Sequence, residues 1–114
     1  MPTPARTAAW RILAATDDCR TTLRAAMARY AGELSATDLA FCREAVLGVL
    51  RHRLRIDRLL APHLRRSMER TPPPLRAALR LGACQILFFD RVPAHAAVDE
   101  SVEILKRYSR PALA

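Results

Sequence analysis

The stretch RVPAHAAVDESVEI, residues 91 to 104, sets His95 four residues before Asp99, and Asp99 four before Glu103. On a helix that spacing stacks an imidazole and two carboxylates on one face, where they could hold a metal ion or pass a proton. A zinc site needs three or four ligands in constrained geometry, and no second His or Cys lies nearby in sequence. Carboxylates in a first helical turn also have a plain role, because they answer the positive end of the helix dipole. Asp99 and Glu100 are placed to meet an Arg from another helix. His95 is therefore read as architectural, and no metal site is expected. His52 and His63 sit among Arg residues with no Cys or Ser nucleophile beside them, which points to surface contact rather than catalysis.

Cofactor chemistry has even less support. The chain has only three Gly, at positions 32, 48 and 82. Neither a G-x-G-x-x-G nor a Walker-type loop is present, so no backbone cradle for phosphates is expected. Nucleotide binding and methyl transfer from S-adenosylmethionine have no visible machinery in this sequence. The expectation is no cofactor, and no enzymatic activity for this chain alone.

What the sequence offers instead is arginine. The 114 residues carry a net charge of +8, and Lys106 is the only Lys. Arg6 and Arg11 form one cluster. Arg51, Arg53, Arg55 and Arg58 form a second, which Arg65, Arg66 and Arg70 extend. Asp57 is the lone acid within 51–58, so this is not a helix face balanced by ion pairs. Guanidinium forks fit phosphate oxygens and stack on unpaired bases, so the surplus points to RNA.

The elements that must position these groups read as helices. Thr3 can cap a first helix with Pro4 at its first position. Ala5, Ala8, Ala9, Ile12 and Leu13 face inward at the helical period, and Trp10, one turn from Arg6 and within reach of a stack, is read rather as a half-buried packing residue. Asp17 or Asp18 can cap a second helix that ends near Gly32. Ser35 or Thr37 can cap a third, with Leu39, Cys42, Val46, Val49 and Leu50 as its stripe. A break or bend near Arg53 starts a fourth, shortened by Pro62. Gly48 inside this pattern costs about 1 kcal/mol against Ala and implies close approach of another helix. RRSMERTPPP reads as a linker. LRAALRLGACQILFF follows, apolar on nearly all sides, as a central buried helix with Gly82 and Ala83 packed tightly. A last helix runs to about Tyr108 on a stripe of Ala94, Ala97, Val98, Ser101, Val102 and Leu105. Segments of alternating polarity are missing, and three Gly with eight Pro suit helices punctuated by prolines. The fold class is all-α, one domain over residues 1–114, with about six helices packed around the central one.

Cys19, Cys42 and Cys84 are scattered, each within a helical pattern, and read as reduced, mostly buried thiols of a cytoplasmic protein. The N-terminus lacks the apolar run of a signal peptide, and no stretch approaches the roughly 20 apolar residues that span a bilayer, so no membrane is expected.

Two blocks carry a resemblance. DLAFCREAVLGVLRHRLRID and LRLGACQILFFDRVPAHAAVDESVEI are similar to blocks of the NusB-like RNA-binding domain, in the form found at the N-terminus of RsmB-type ribosomal RNA cytosine-5 methyltransferases. PARTAAWRIL resembles the opening helix of that family. The resemblance implies an all-helical fold of two small bundles, and a role in ribosomal RNA modification or transcription antitermination. It implies RNA contact at Arg6 and Arg11, with Arg51 and Arg53 as neighbouring basic surface, and a PAHAAV stretch that starts a docking helix. Leu39 stands where the family has Arg, which removes one polar contact. The family pattern also continues with a further helix of the type F-VNAVLR, whereas this sequence ends at YSRPALA. That implies a fragment or a free-standing variant, with apolar surface open to a protein partner, a methyltransferase domain or a second copy.

Two functions remain in view. One is RNA binding, with ribosomal RNA as partner. The other is a protein-interaction module whose Arg residues serve acidic partners, and fold alone does not decide between them.

Overall fold

Thr3 starts the chain's first helix, as its side chain dictates. Its hydroxyl accepts from the Arg6 amide at 3.3 Å, and Pro4 opens α1, Pro4–Thr16. The computed structural model describes residues 3–108. α2 is Leu23–Ala31, capped by Thr22 and not by Asp17 or Asp18. The difference has a physical cause. Asp17 keeps helical backbone angles and turns its carboxylate to Arg76 and Arg80, while Asp18 accepts from the Arg20 amide at 3.1 Å. Cys19 then reverses the chain at φ 62°, exposed and outside any helix, unlike the buried thiols Cys42 and Cys84.

α3, Ala36–Leu60, is capped by Ser35, whose hydroxyl accepts from the Asp38 amide at 3.2 Å. The break or bend expected near Arg53 is a kink one residue earlier: His52 leaves helical geometry (φ −107°, ψ 15°) and divides α3 into two helical segments. Ala61–His63, with Pro62, and Met68–Arg70 are single turns of 3-10 helix. α4 is Pro73–Phe88 and α5 is Ala94–Tyr108. The described residues thus form five α-helices and no strand.

α1, α3 and α4 pack on one another at a common junction, with α2 on α1 and α5 on α4. Ile12, Val46, Val49, Ile56, Leu81 and Ile104 are fully buried at the junction. The two glycines expected to permit close approach do so. A Cβ on Gly48 would sit 3.0 Å from the Cys84 sulfur, and one on Gly82 would sit 3.1 Å from the Ser101 hydroxyl. That second contact sets the phase of α5. Ala97 and Ile104 are buried, while Val98 and Val102, expected inside, are exposed. α4 is central, yet Ile86 and Leu87 at its end are also exposed. No helix among the described residues is long and apolar enough to cross a membrane.

Candidate nucleic-acid interface

The arginines divide by partner. Arg6, Arg76 and Arg80 point inward and are paired. Arg6 was expected on the surface, but its side chain is only 11% exposed. Its Nε donates to Gln85 Oε1 at 2.5 Å, and its guanidinium pairs with Glu100, which also accepts from the Thr3 amide at 2.7 Å. Gln85 is wholly buried on α4 and donates onward to the Leu81 carbonyl. A buried amide needs both ends satisfied, and Arg6 supplies one of them. Arg6 therefore ties α1 to α4 and α5, and the expected role on an RNA surface does not fit its position. The same contact gives Glu100 the inter-helix Arg that the sequence led us to expect. Arg6 also lies over Phe41, at 5.2 Å, and not over Trp10.

Arg80 makes a second tie. Nε and one terminal nitrogen each donate to Asp57 at 2.9 Å, and the other terminal nitrogen donates to Asp17 at 3.0 Å. Arg76 joins Asp17 as well and donates to the Met68 and Glu69 carbonyls, fixing the linker before α4. An Arg inside an otherwise apolar helix pattern is the sequence signal for such a tie, since a buried cation requires a partner.

Asp57 is thereby turned away from its own helix neighbours. Arg51, Arg53, Arg55 and Arg58 are exposed along the second half of α3, and none of them has an ion-pair partner among the described residues. Arg65, Arg66 and Arg70 are exposed beyond the helix end, again without one. The last turn of a helix favours cations, so this end of α3 tolerates the density of charge. An open groove of about 800 Å³ runs beside it. Arg51, Arg53 and Arg55 line one side, Ser67 to Glu69 the other, and Asp57 with Arg80 also contribute to the lining. His52, at the bend, stacks on Phe88 with ring centres 4.1 Å apart, and Arg55 lies over the same ring at 5.7 Å. Sequence reading did not pair these aromatics, because nothing in spacing alone brings residue 52 to residue 88. Arg11, the remaining expected contact, is exposed on α1 and lies 4.6 Å over the Tyr108 ring.

The chemistry considered for α5 finds no assembled site. His95 and Asp99 are exposed, and Glu103 stands 4.0 Å from Arg107. No group of three His, Cys, Asp or Glu among the described residues could hold a metal ion. Cys42 and Cys84 are buried, and burial pushes each thiol up to about 11, so neither is a ready nucleophile.

The sequence pattern of the NusB family matches residues 3–114. A probable ribosomal RNA small subunit methyltransferase B from Synechocystis sp. is 40% identical over 64% of this chain and 16% of its own length. A transcription antitermination protein NusB from Xanthomonas axonopodis pv. citri is 39% identical over 62% of this chain and 45% of its own length. The matched stretch thus spans less than half of either relative. Among solved structures, antitermination factors NusB and NusE in complex with dsRNA include a chain that superposes with a TM-score of 0.82 at 21% identity, over 96% of this chain and 83% of that one. A plectonemic RNA supercoil structure includes another at 0.83 and 22%, over 93% and 80%. At such identity the likeness speaks for the fold.

Proposed function

This chain belongs to the NusB family, and on that premise we propose that it is an RNA-binding domain acting in ribosomal RNA maturation or transcription antitermination. The observation that carries the reading is the second half of α3. Four guanidinium groups, those of Arg51, Arg53, Arg55 and Arg58, line it without a carboxylate partner, because Asp57 is taken up by Arg80. Side chains at i and i+4 sit about 5–6 Å apart on a helix, a spacing that lets Arg51 and Arg55 reach successive phosphates of an extended strand. Arg11 adds a separate contact on α1. Arg6 has no place in this surface.

The relatives support an RNA target of ribosomal or transcript origin, since one carries small-subunit ribosomal RNA in its name and the other antitermination. The structural neighbours are found with RNA. Methyl transfer is not assigned to these residues, because the stretch shared with the methyltransferase relative is 16% of that protein. A second reading has its own observation. Leu50 and Leu54 are exposed beside the arginines, and one solved neighbour is bound to the protein NusE, so the same face could receive a protein partner.

A labelled single-stranded ribosomal RNA fragment titrated with wild type and with Arg51→Ala/Arg53→Ala separates the two. RNA binding predicts a loss of about tenfold or more, as two charge-assisted contacts disappear. Equal affinity of both proteins for the RNA would leave only the protein-partner reading.

A further inference from the structure

α3 carries apolar side chains on two opposite sides. Cys42, Val49 and Ile56 are buried in the core, as an amphipathic helix requires. Leu47, Leu50 and Leu54 point the other way, and Leu54 is 81% exposed. Their spacing of three and four residues sets them along one outer ridge, and the kink at His52 leaves all three in solvent. The ridge begins at a slot. α2 packs on α1, and between α2 and α3 an opening of about 140 Å³ is lined by Leu23, Met27, Arg43, Val46 and Leu47. Apart from Arg43 its walls are apolar. Single exposed leucines are ordinary, but a ridge continuous with an apolar slot marks an interaction surface. Charge of one sign flanks it. Arg43, Arg51 and Arg58 are exposed on the same side of α3 and form no ion pair with any described residue. Between Arg43 and Arg58 the only carboxylates in the sequence are Glu44 and Asp57, and Arg80 holds Asp57.

We propose that this slot and ridge dock an acidic amphipathic helix of a protein partner. Apolar side chains at helical spacing on the partner fill the slot beside Met27 and cover Leu47, Leu50 and Leu54. Flanking Asp or Glu side chains meet Arg43, Arg51 and Arg58. The described residues offer no sheet edge for an extended segment to join, so the occupant is a helix that satisfies its own backbone. The span from Leu47 to Leu54 is about 10 Å of helix, which about three turns of a partner cover. Pairing with α3 of a second copy is ruled out, because a two-fold contact sets Arg against Arg. A nucleic-acid strand engages the arginines but leaves the slot and the leucines unfilled, since leucine offers phosphate no hydrogen bond. The dock overlaps the proposed RNA surface where Leu50, Arg51 and Leu54 also border the groove. A docked helix therefore competes with RNA. That competition rests on the RNA-binding reading, and the docking itself does not.

Two methionines mark the two surfaces. Met27 lines the slot, and Met68 lines the groove beside Arg51, Arg53 and Arg55. The experiment titrates the whole chain, with isotope-labelled methionine methyl groups followed by NMR, with a synthetic helical peptide of about four turns. The peptide carries Leu at i, i+3, i+4 and i+7 and Glu on either side. An isomer of the same composition, with its leucines spread around the helix, is the control, and a single-stranded RNA is the comparison. The patterned peptide is expected to move the Met27 signal and to bind about tenfold more tightly than the isomer. Leu47→Gln and Leu54→Gln should each weaken it about three- to tenfold. Both side chains are exposed, and far-UV circular dichroism checks that the helices persist. Arg43→Glu should weaken the peptide as well and flatten its salt dependence. If the isomer binds as tightly, or if the two leucine variants keep wild-type affinity while Arg43→Glu loses it, the arginines merely attract polyanions and the proposal falls. It falls too if RNA moves Met27 and the peptide does not, because the slot then belongs to nucleic acid. Peptide binding with these signatures beside a complete failure of RNA to bind would support the dock and remove only the RNA-binding reading.

Discussion

Replacing Arg80 by Met tests how the basic surface is kept free. Arg80 is 8% exposed and gives three hydrogen bonds to two carboxylates, two to Asp57 and one to Asp17. Removing one partner of a buried ion pair costs about 3–5 kcal/mol, because the remaining charge stays desolvated. Here the loss falls at the lower end. Asp17 retains Arg76, and the Asp57 side chain is 24% exposed, so water recovers part of its solvation. We therefore expect about 3 kcal/mol, a large part of the 5–15 kcal/mol typical of a whole domain. Arg80→Lys should cost less, about 1–2 kcal/mol, since it keeps the charge and loses the fork. Urea unfolding followed by circular dichroism at constant slope measures both. The released Asp57 would also face Arg53, one turn back on its own helix, so RNA affinity should fall in Arg80→Met while the helices persist. Asp57→Leu/Arg80→Met should recover part of the stability by removing the orphaned charge. A cost under about 1 kcal/mol for Arg80→Met, or a double variant weaker than the single, would refute the tie.

Other consequences follow from burial. Cys42 and Cys84 are fully buried and their thiols are raised from 9.0 to about 11 in the fold. A group raised on folding stabilises the native state below its unfolded value, and the contribution is lost as pH climbs to the folded one. Stability should thus fall between pH 9 and about 11, by at most about 1.4 kcal/mol per pH unit for each thiol. Unfolding curves for Cys42→Ala/Cys84→Ala should lack that decline, and a thiol reagent should modify Cys19 alone in the native protein. Gly48→Ala gains about 1 kcal/mol of helix propensity but drives a methyl group to 3.0 Å from the Cys84 sulfur. A net destabilisation of about 1 kcal/mol is expected, relieved when Cys84→Ala is added, as read by thermal melts.

The helices were legible where a local signal decides them. Thr3 with Pro4 and Ser35 before α3 are such signals, and so are the glycines at 48 and 82, where one helix meets another. Two readings failed where tertiary partners overrode local chemistry. Asp17 looks like a helix cap, yet two arginines from α4 claim its carboxylate. In α5 both Val98/Val102 and Ala97/Ile104 lie at helical spacing, and tertiary contacts, Ser101 against Gly82 and Glu100 with Arg6 and Thr3, choose between them. The site divided the same way. An excess of Arg over acids at 51–58 is visible in sequence, because it depends on composition along one helix. Arg6 could not be sorted from Arg11 by type or spacing. Its separation depends on Glu100 and Gln85, distant in sequence, just as the contact of Arg11 with Tyr108 depends on a helix far along the chain.

The most direct test of the account is the slope of RNA affinity against salt for wild type and for the variant with Arg51, Arg53, Arg55 and Arg58 all changed to Ala. Each phosphate contact on a single strand contributes about 0.7 to the slope of log K against log salt, so the variant should be shallower by nearly 3. Identical slopes in the two proteins would mean that these four guanidinium groups do not hold the strand, and the proposed interface would be contradicted.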